Sequence, residues 1–119
     1  MREPRKSWTL FVPHLQTPWK PLADVFRTRQ GWLLKFDLAG VRLQDVVVSI
    51  EGRRVTVSGI RRNTLIEEGS SYYSMEISYN QFERTIEMPV HLDRAQVALE
   101  AQDGILLVRI STEGKCNVR

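Results

Sequence analysis

Short bursts of strict apolar–polar alternation fill most of this chain, and that period of two constrains its fold more than any other feature. In WLLKFDL, Leu34, Phe36 and Leu38 share one face; in QDVVVSI, Val46, Val48 and Ile50 do the same. After the turn at Glu51-Gly52, Val55 and Val57 alternate up to Ser58-Gly59. Phe82, Arg84, Ile86 and Met88 share a face until Pro89, which cannot donate to a ladder, stops the pairing. Val97, Leu99 and Ala101 lead to Asp103-Gly104, a hairpin turn signal, and Leu106, Val108 and Ile110 alternate beyond it. Leu22 to Thr28 reads as a short strand ahead of Gly31. Asp93 could open a short helix over Leu92 to Leu99, but the flanks favour strand. Short strands between frequent turn signals, with almost no helical period, predict an all-β chain. The expected form is an immunoglobulin-like antiparallel β-sandwich.

The alternation occupies residues 21–110, read as the sandwich domain, with 111–119 as a short C-terminal tail. Residues 1–20 form a flexible apolar and basic arm broken by Pro4, Pro13 and Pro18. Its Trp8, Leu10, Phe11, Val12, Leu15 and Trp19 are too interrupted to bury one another. They are expected to pack on the body, on another chain or on a client. One stretch of the body resists a compact sandwich: residues 61–79 separate two strands, and loops that long are usually functional or exchanged. Inside it, Tyr73, Met75, Ile77 and Tyr79 fall on one face while Ser74, Glu76 and Ser78 fall on the other. A strand carried out on a loop needs an edge to pair with, either on its own subunit or on another.

At 119 residues and 42% hydrophobic content, the chain holds one domain with a real core, and a multidomain enzyme is excluded. The net charge of +3 suggests a polyanion partner until the charges are located. Arg2, Arg5, Lys6 and Lys20 against Glu3 put the whole excess in the arm, and the body is neutral. Nucleic acid is therefore not expected as a partner. Cys116 is the only cysteine, so no internal disulfide can form, and a reducing, cytoplasmic setting is expected. The first residues lack the apolar run and cleavage site of a signal peptide, and no stretch is apolar enough to span a membrane. The seven glycines are too dispersed for a P-loop or a dinucleotide fingerprint. His14 and His91 have no metal-type neighbours at ligand spacing, and Ser70-Ser71 beside Glu67-Glu68-Gly69 reads as a solvated turn. No catalytic residue, metal or cofactor is expected, and no enzyme.

Three blocks in order, FDLAGVRLQDVVVSIEGRRVTVSGIRR, MEISYNQFERTIEMPVHL and ALEAQDGILLVRI, resemble the small heat-shock protein family and its α-crystallin domain in bacterial-type members. Gly40-Val41 matches the family's P-G-V turn with Ala39 for proline. Phe82, Arg84 and Met88-Pro89 match its F-x-R and L-P elements. Leu99, Gly104, Ile105 and Leu106 match A-x-x-x-x-G-V-L with leucine first. Asn80 stands where the family has glycine, a mild departure because asparagine tolerates a left-handed turn. The resemblance implies an ATP-independent holdase, binding partly unfolded client proteins through exposed apolar surface, with the arm as one client contact.

The resemblance also implies a strand-exchanged homodimer that can build larger oligomers, residues 72–78 pairing with 22–27 of a second copy. Leu22, Asp24, Phe26, Tyr73, Met75, Ile77 and Arg84 would form that interface. The plainer readings are a loop folded back on its own subunit and an exposed end-of-strand arginine. The family's tail motif I-x-I/V docks in a groove between strands, here Val46, Val48 and Ile50 against Val97, Leu99 and Ala101, which could equally be ordinary core. The tail STEGKCNVR lacks the motif. Leu10-Phe11-Val12 has the right spacing, so the arm is expected to fill the groove. The competing function is an adaptor: a β-sandwich co-chaperone that binds one defined partner and exchanges no strand.

Overall fold

A computed structural model describes residues 17–64 and 66–112. Among these described residues seven strands follow one another: β1 (Ala23–Arg27), β2 (Gly31–Asp37), β3 (Val46–Glu51), β4 (Arg54–Arg61), β5 (Asn80–Glu87), β6 (Gln96–Gln102) and β7 (Ile105–Ser111), with a 3-10 turn at Leu43–Asp45. They form an antiparallel four-stranded sheet in the order β1-β2-β7-β6 and a three-stranded sheet in the order β3-β4-β5. The segment from Leu92 onward becomes strand β6, preceded by a turn rather than a helix.

The apolar faces predicted by alternation meet between the sheets. Leu34 and Phe36 of β2 and Leu106, Val108 and Ile110 of β7 pack with Val55 and Val57 of β4 and Phe82 of β5. Leu38, Met88 and Leu92 close the ends. Each large side chain taken from water here contributes about 1.5–3 kcal/mol before conformational entropy is charged against it. No polar or charged residue is buried among the described residues, so this core carries packing and no chemistry.

Three backbone positions explain the local path. Asp103 and Gly104, at φ 51° and 84°, form the two-residue turn between β6 and β7, and its left-handed geometry matches the strand twist. Gly59 lets β4 pass beneath the 3-10 turn. A Cβ there would collide with the Asp45 carbonyl oxygen and stand 2.8 Å from Phe82 Cζ.

Candidate protein-interaction surfaces

The sandwich has two long rims where a strand edge of one sheet faces a strand edge of the other. At the first, β3 faces β6. Val46, Val48 and Ile50 pair across β3–β4 with Gly59, Val57 and Val55, so their side chains point inward and pack on the core. Val97, Leu99 and Ala101 pair across β6–β7 with Ile110, Val108 and Leu106, so they also point inward. No described residue covers them, and Val97 and Leu99 remain 41% and 39% exposed. The sequence-predicted groove residues thus form an apolar cleft. One end holds a pocket of about 190 Å³ lined by Leu38, Val41, Leu43, Val46, Ala101 and Leu106.

Hydrogen-bond phase adds to this. Met88 N–H donates to Arg53 O, which puts the carbonyls and amides of Val55, Val57 and Gly59 toward β5 and those of Thr56 and Ser58 toward β3. Val46, Val48 and Ile50 therefore keep their own backbone groups on the free side of β3. The Leu38 N–H to Gly104 O bond sets the same phase for β7 and leaves Val97, Leu99 and Ala101 free on β6. Each wall of the cleft offers alternate apolar side chains and unpaired backbone together, the requirement for receiving an extended segment with apolar residues at i and i+2.

At the second rim, β1 lies near β5, and the chain before β1 crosses between them. Trp19 N–H donates to Gln81 O at 3.2 Å and Glu83 N–H to Trp19 O at 3.0 Å, an isolated parallel bridge on the free side of β5. The Trp19 ring rests on Phe82 with centroids 5.2 Å apart. Trp19, expected with the client-binding arm, is part of the body instead, held by an aromatic partner that the broken local pattern could not reveal. Trp8, Leu10, Phe11, Val12 and Leu15 lie outside the described residues.

Arg84 shares its face with Phe82 and Ile86, as the alternation requires, and Nη1 donates to Pro21 O at 2.8 Å. The charge on an apolar face thus has a partner inside its own chain, on the strap that leads into β1. β1 itself pairs only with β2. Asp37 N–H donates to Leu22 O, and Thr28 and Gly31 exchange both bonds, so Leu22, Asp24 and Phe26 direct their backbone groups to β2. The free backbone edge is Ala23, Val25 and Arg27. Leu22, Asp24 and Phe26, the residues expected at an interface, are thus not the free-edge ones. Those residues can supply side chains, and Phe26 is half-covered by Lys35, whose Nζ lies 4.9 Å from its ring centroid, but ladder bonds to an added strand belong to their odd-numbered neighbours.

Among the described residues, 72–78 form no strand with any edge. The alternation within SYYSMEIS is thus not expressed as a strand in the described residues. In the protomer, Tyr72, Tyr73, Met75 and Ile77 are exposed, Tyr73 completely. At the loop's start, Arg62 grips Asp45 with two bonds, Nε to Oδ2 at 3.0 Å and Nη2 to Oδ1 at 3.1 Å. That grip holds the Asp45 carboxyl below its ordinary pKa and raises that of Arg62, and it ties the 3-10 turn beside Val46. Among the described residues no group of three or more His, Cys, Asp or Glu could hold a metal ion, and no helix is long and apolar enough to cross a membrane.

The Hsp20/alpha crystallin family model matches residues 24–118. Spore protein SP21 of Stigmatella aurantiaca is 32% identical over 90 residues, covering 76% of this chain and 53% of that protein. Small heat shock protein C2 of Rickettsia felis is 26% identical, covering 76% and 58%. The chain thus spans little more than half the length of these relatives. Heat shock protein 16.0 from Schizosaccharomyces pombe superposes with a TM-score of 0.66 at 28% identity, over 77% of this chain and 86% of that one. HSP18.5 from E. histolytica gives 0.64 at 26% identity, over 78% and 88%. With the family pattern spread over nearly the whole sandwich, the chain belongs to the Hsp20/alpha-crystallin family of small heat shock proteins.

Proposed function

We propose that this protein is an ATP-independent holdase of the cytoplasm, which captures partly unfolded proteins and prevents their aggregation. The observation that carries the reading is the β3–β6 cleft, where apolar side chains and unpaired backbone face solvent side by side. An unfolding client offers both complements at once: alternate apolar side chains and unsatisfied amides. A surface of this kind selects no particular side-chain chemistry and needs no reacting group.

The working unit of this reading is a homodimer in which residues 72–78 of one copy add to β1 of the other. The free backbone of Ala23, Val25 and Arg27 and the exposed face of Tyr73, Met75 and Ile77 support it. Leu10-Phe11-Val12 of the arm fills the cleft until a client or a neighbouring chain displaces it, and Trp8, Leu10, Phe11, Val12 and Leu15 add client contacts.

The test is light scattering from a heat-aggregating client at equimolar ratio without nucleotide. Suppressed scattering is expected. Unchanged scattering from folded protein overturns the holdase and favours an adaptor for one defined partner. Deleting residues 1–16, which leaves Trp19 in place, is expected to change oligomer mass by more than the mass removed. A change equal to that mass alone overturns the arm's place in assembly.

A further inference from the structure

The loop that carries residues 72–77 enters β5 through Ser78, Tyr79 and Asn80, and two carbonyls at that hinge are held from outside the loop. Arg61 Nη1 donates to Ser78 O at 2.8 Å, and Trp19 Nε1 donates to Asn80 O at 3.3 Å. The two holders touch each other, with the Arg61 guanidinium carbon 4.4 Å from the Trp19 ring centroid. Arg61 Nε donates to Ala39 O at 3.0 Å, so one planar group is fixed at once by a carbonyl, the hinge and an aromatic face. Asn80 stands at φ 73°, in the left-handed region, and so relies on its neighbours to hold the bend.

We propose that Trp19 and Arg61 form a positioning latch that couples the segment before β1 to the exchange strand. The inference rests on the strand-exchanged dimer proposed above. With Trp19 seated, Arg61 is pinned, the Ser78–Asn80 hinge has one direction, and residues 72–77 are presented to a second copy at reduced entropic cost. When Trp19 is drawn away, by whatever binds or pulls the chain before it, Arg61 loses its stacking partner. Asn80 loses a hydrogen bond, and the loop samples directions that cannot pair. Coupling of this kind is reciprocal: exchange of the strand also holds Trp19 in its seat. Trp19 suits the role because it is only partly buried, which leaves its ring open to displacement from solvent.

Sedimentation equilibrium of the full chain tests this on Trp19→Ala, Trp19→Phe, Arg61→Lys and the double variant Trp19→Ala/Arg61→Lys. Each of Trp19→Ala and Arg61→Lys is expected to raise the dimer dissociation constant about tenfold, and the double variant no further than either single one. Trp19→Phe, which keeps a ring under Arg61, recovers most of the affinity. A second readout needs no dimer: the Glu83 amide donates to Trp19 O and does not touch Arg61, so Arg61→Lys should speed its hydrogen exchange about tenfold if the latch is one unit. A dissociation constant within about twofold of wild type in folded Trp19→Ala, or losses that add in the double variant, overturns the coupling. Should Trp19→Ala fail to fold, Arg61→Lys decides by the same limits. A wild-type chain that stays monomeric overturns strand exchange and the coupling with it, while unchanged Glu83 exchange in Arg61→Lys overturns the latch alone.

Discussion

The two rims of the sandwich are made from the same alternation and finished in opposite ways. Where β1 nears β5, a strap runs between the sheets: Trp19 bridges Gln81 and Glu83, Pro21 is buried, and Arg84 holds the Pro21 carbonyl. Where β3 faces β6, no described residue crosses, and Val97 and Leu99 stay exposed. An apolar edge left open is ordinarily an aggregation hazard, which folded proteins cover or charge. The strap closes the first rim within the chain and still leaves the outer edge of β1 free, whereas the second rim is bare along both walls. The lesson is that one alternation yields a closed or an open rim according to whether a described segment crosses it.

A change beneath both rims sets the scale for breaking that comparison. Phe36→Ala, fully buried between the sheets, is expected to lower unfolding free energy by about 3–5 kcal/mol in a denaturant titration. A loss below about 1 kcal/mol would mean that the two sheets do not share one core. At the strapped rim, Arg84→Ala leaves the Pro21 carbonyl without its donor and should cost about 1–3 kcal/mol, with a weaker dimer by light scattering at low concentration. Arg84→Lys should restore part of both; an unchanged dimer in Arg84→Ala places the arginine outside the interface.

At the open rim the balance reverses. Leu99→Ser removes a side chain that is already 39% exposed, so stability should fall by no more than about 1 kcal/mol. Suppression of client aggregation should fall severalfold. Equal retention of both would show that the cleft binds nothing. The smallest expected effect is at Asp45, whose carboxyl is held below its ordinary pKa by Arg62. Its contribution is present above the unfolded carboxylate's pKa and is lost as pH falls through the lower folded value. Wild type should therefore lose a small advantage over Asp45→Asn in acid denaturation at that end of the scale. A difference between the two proteins that grows on acidification would reverse the assigned sign.

Much of the fold was legible because period-two alternation and turn chemistry are local signals. Val46, Val48 and Ile50, or Leu106, Val108 and Ile110, declare one face with no knowledge of what will cover it. Asp103-Gly104 declares a turn with left-handed positions. Alternation also identified which side chains of β3 and β6 point inward, whereas the groove between them was only what the family resemblance implied. That Val97 and Leu99 would be left uncovered, while Leu106 and Val108 were not, depends on strand order, and strand order is set by contacts between distant segments. Trp19 was misplaced because its surroundings carry no period, and the bond that seats it spans 61 positions to Asn80. Arg61 and the Arg62–Asp45 pair carried no signal at all in a chain where arginine is common.

What the sequence determined by itself is therefore the strands of the sandwich, the face each one buries and the turns between them, while the strand expected within residues 72–78 does not form among the described residues. These follow from steric and solvation preferences that act within a few residues. Only the tertiary structure decided which edges remain free, which backbone amides of β1 point outward and which rim is strapped. Those properties arise from hydrogen-bond phase and from the entropy of closing long loops, and neither is written in any short stretch of chain.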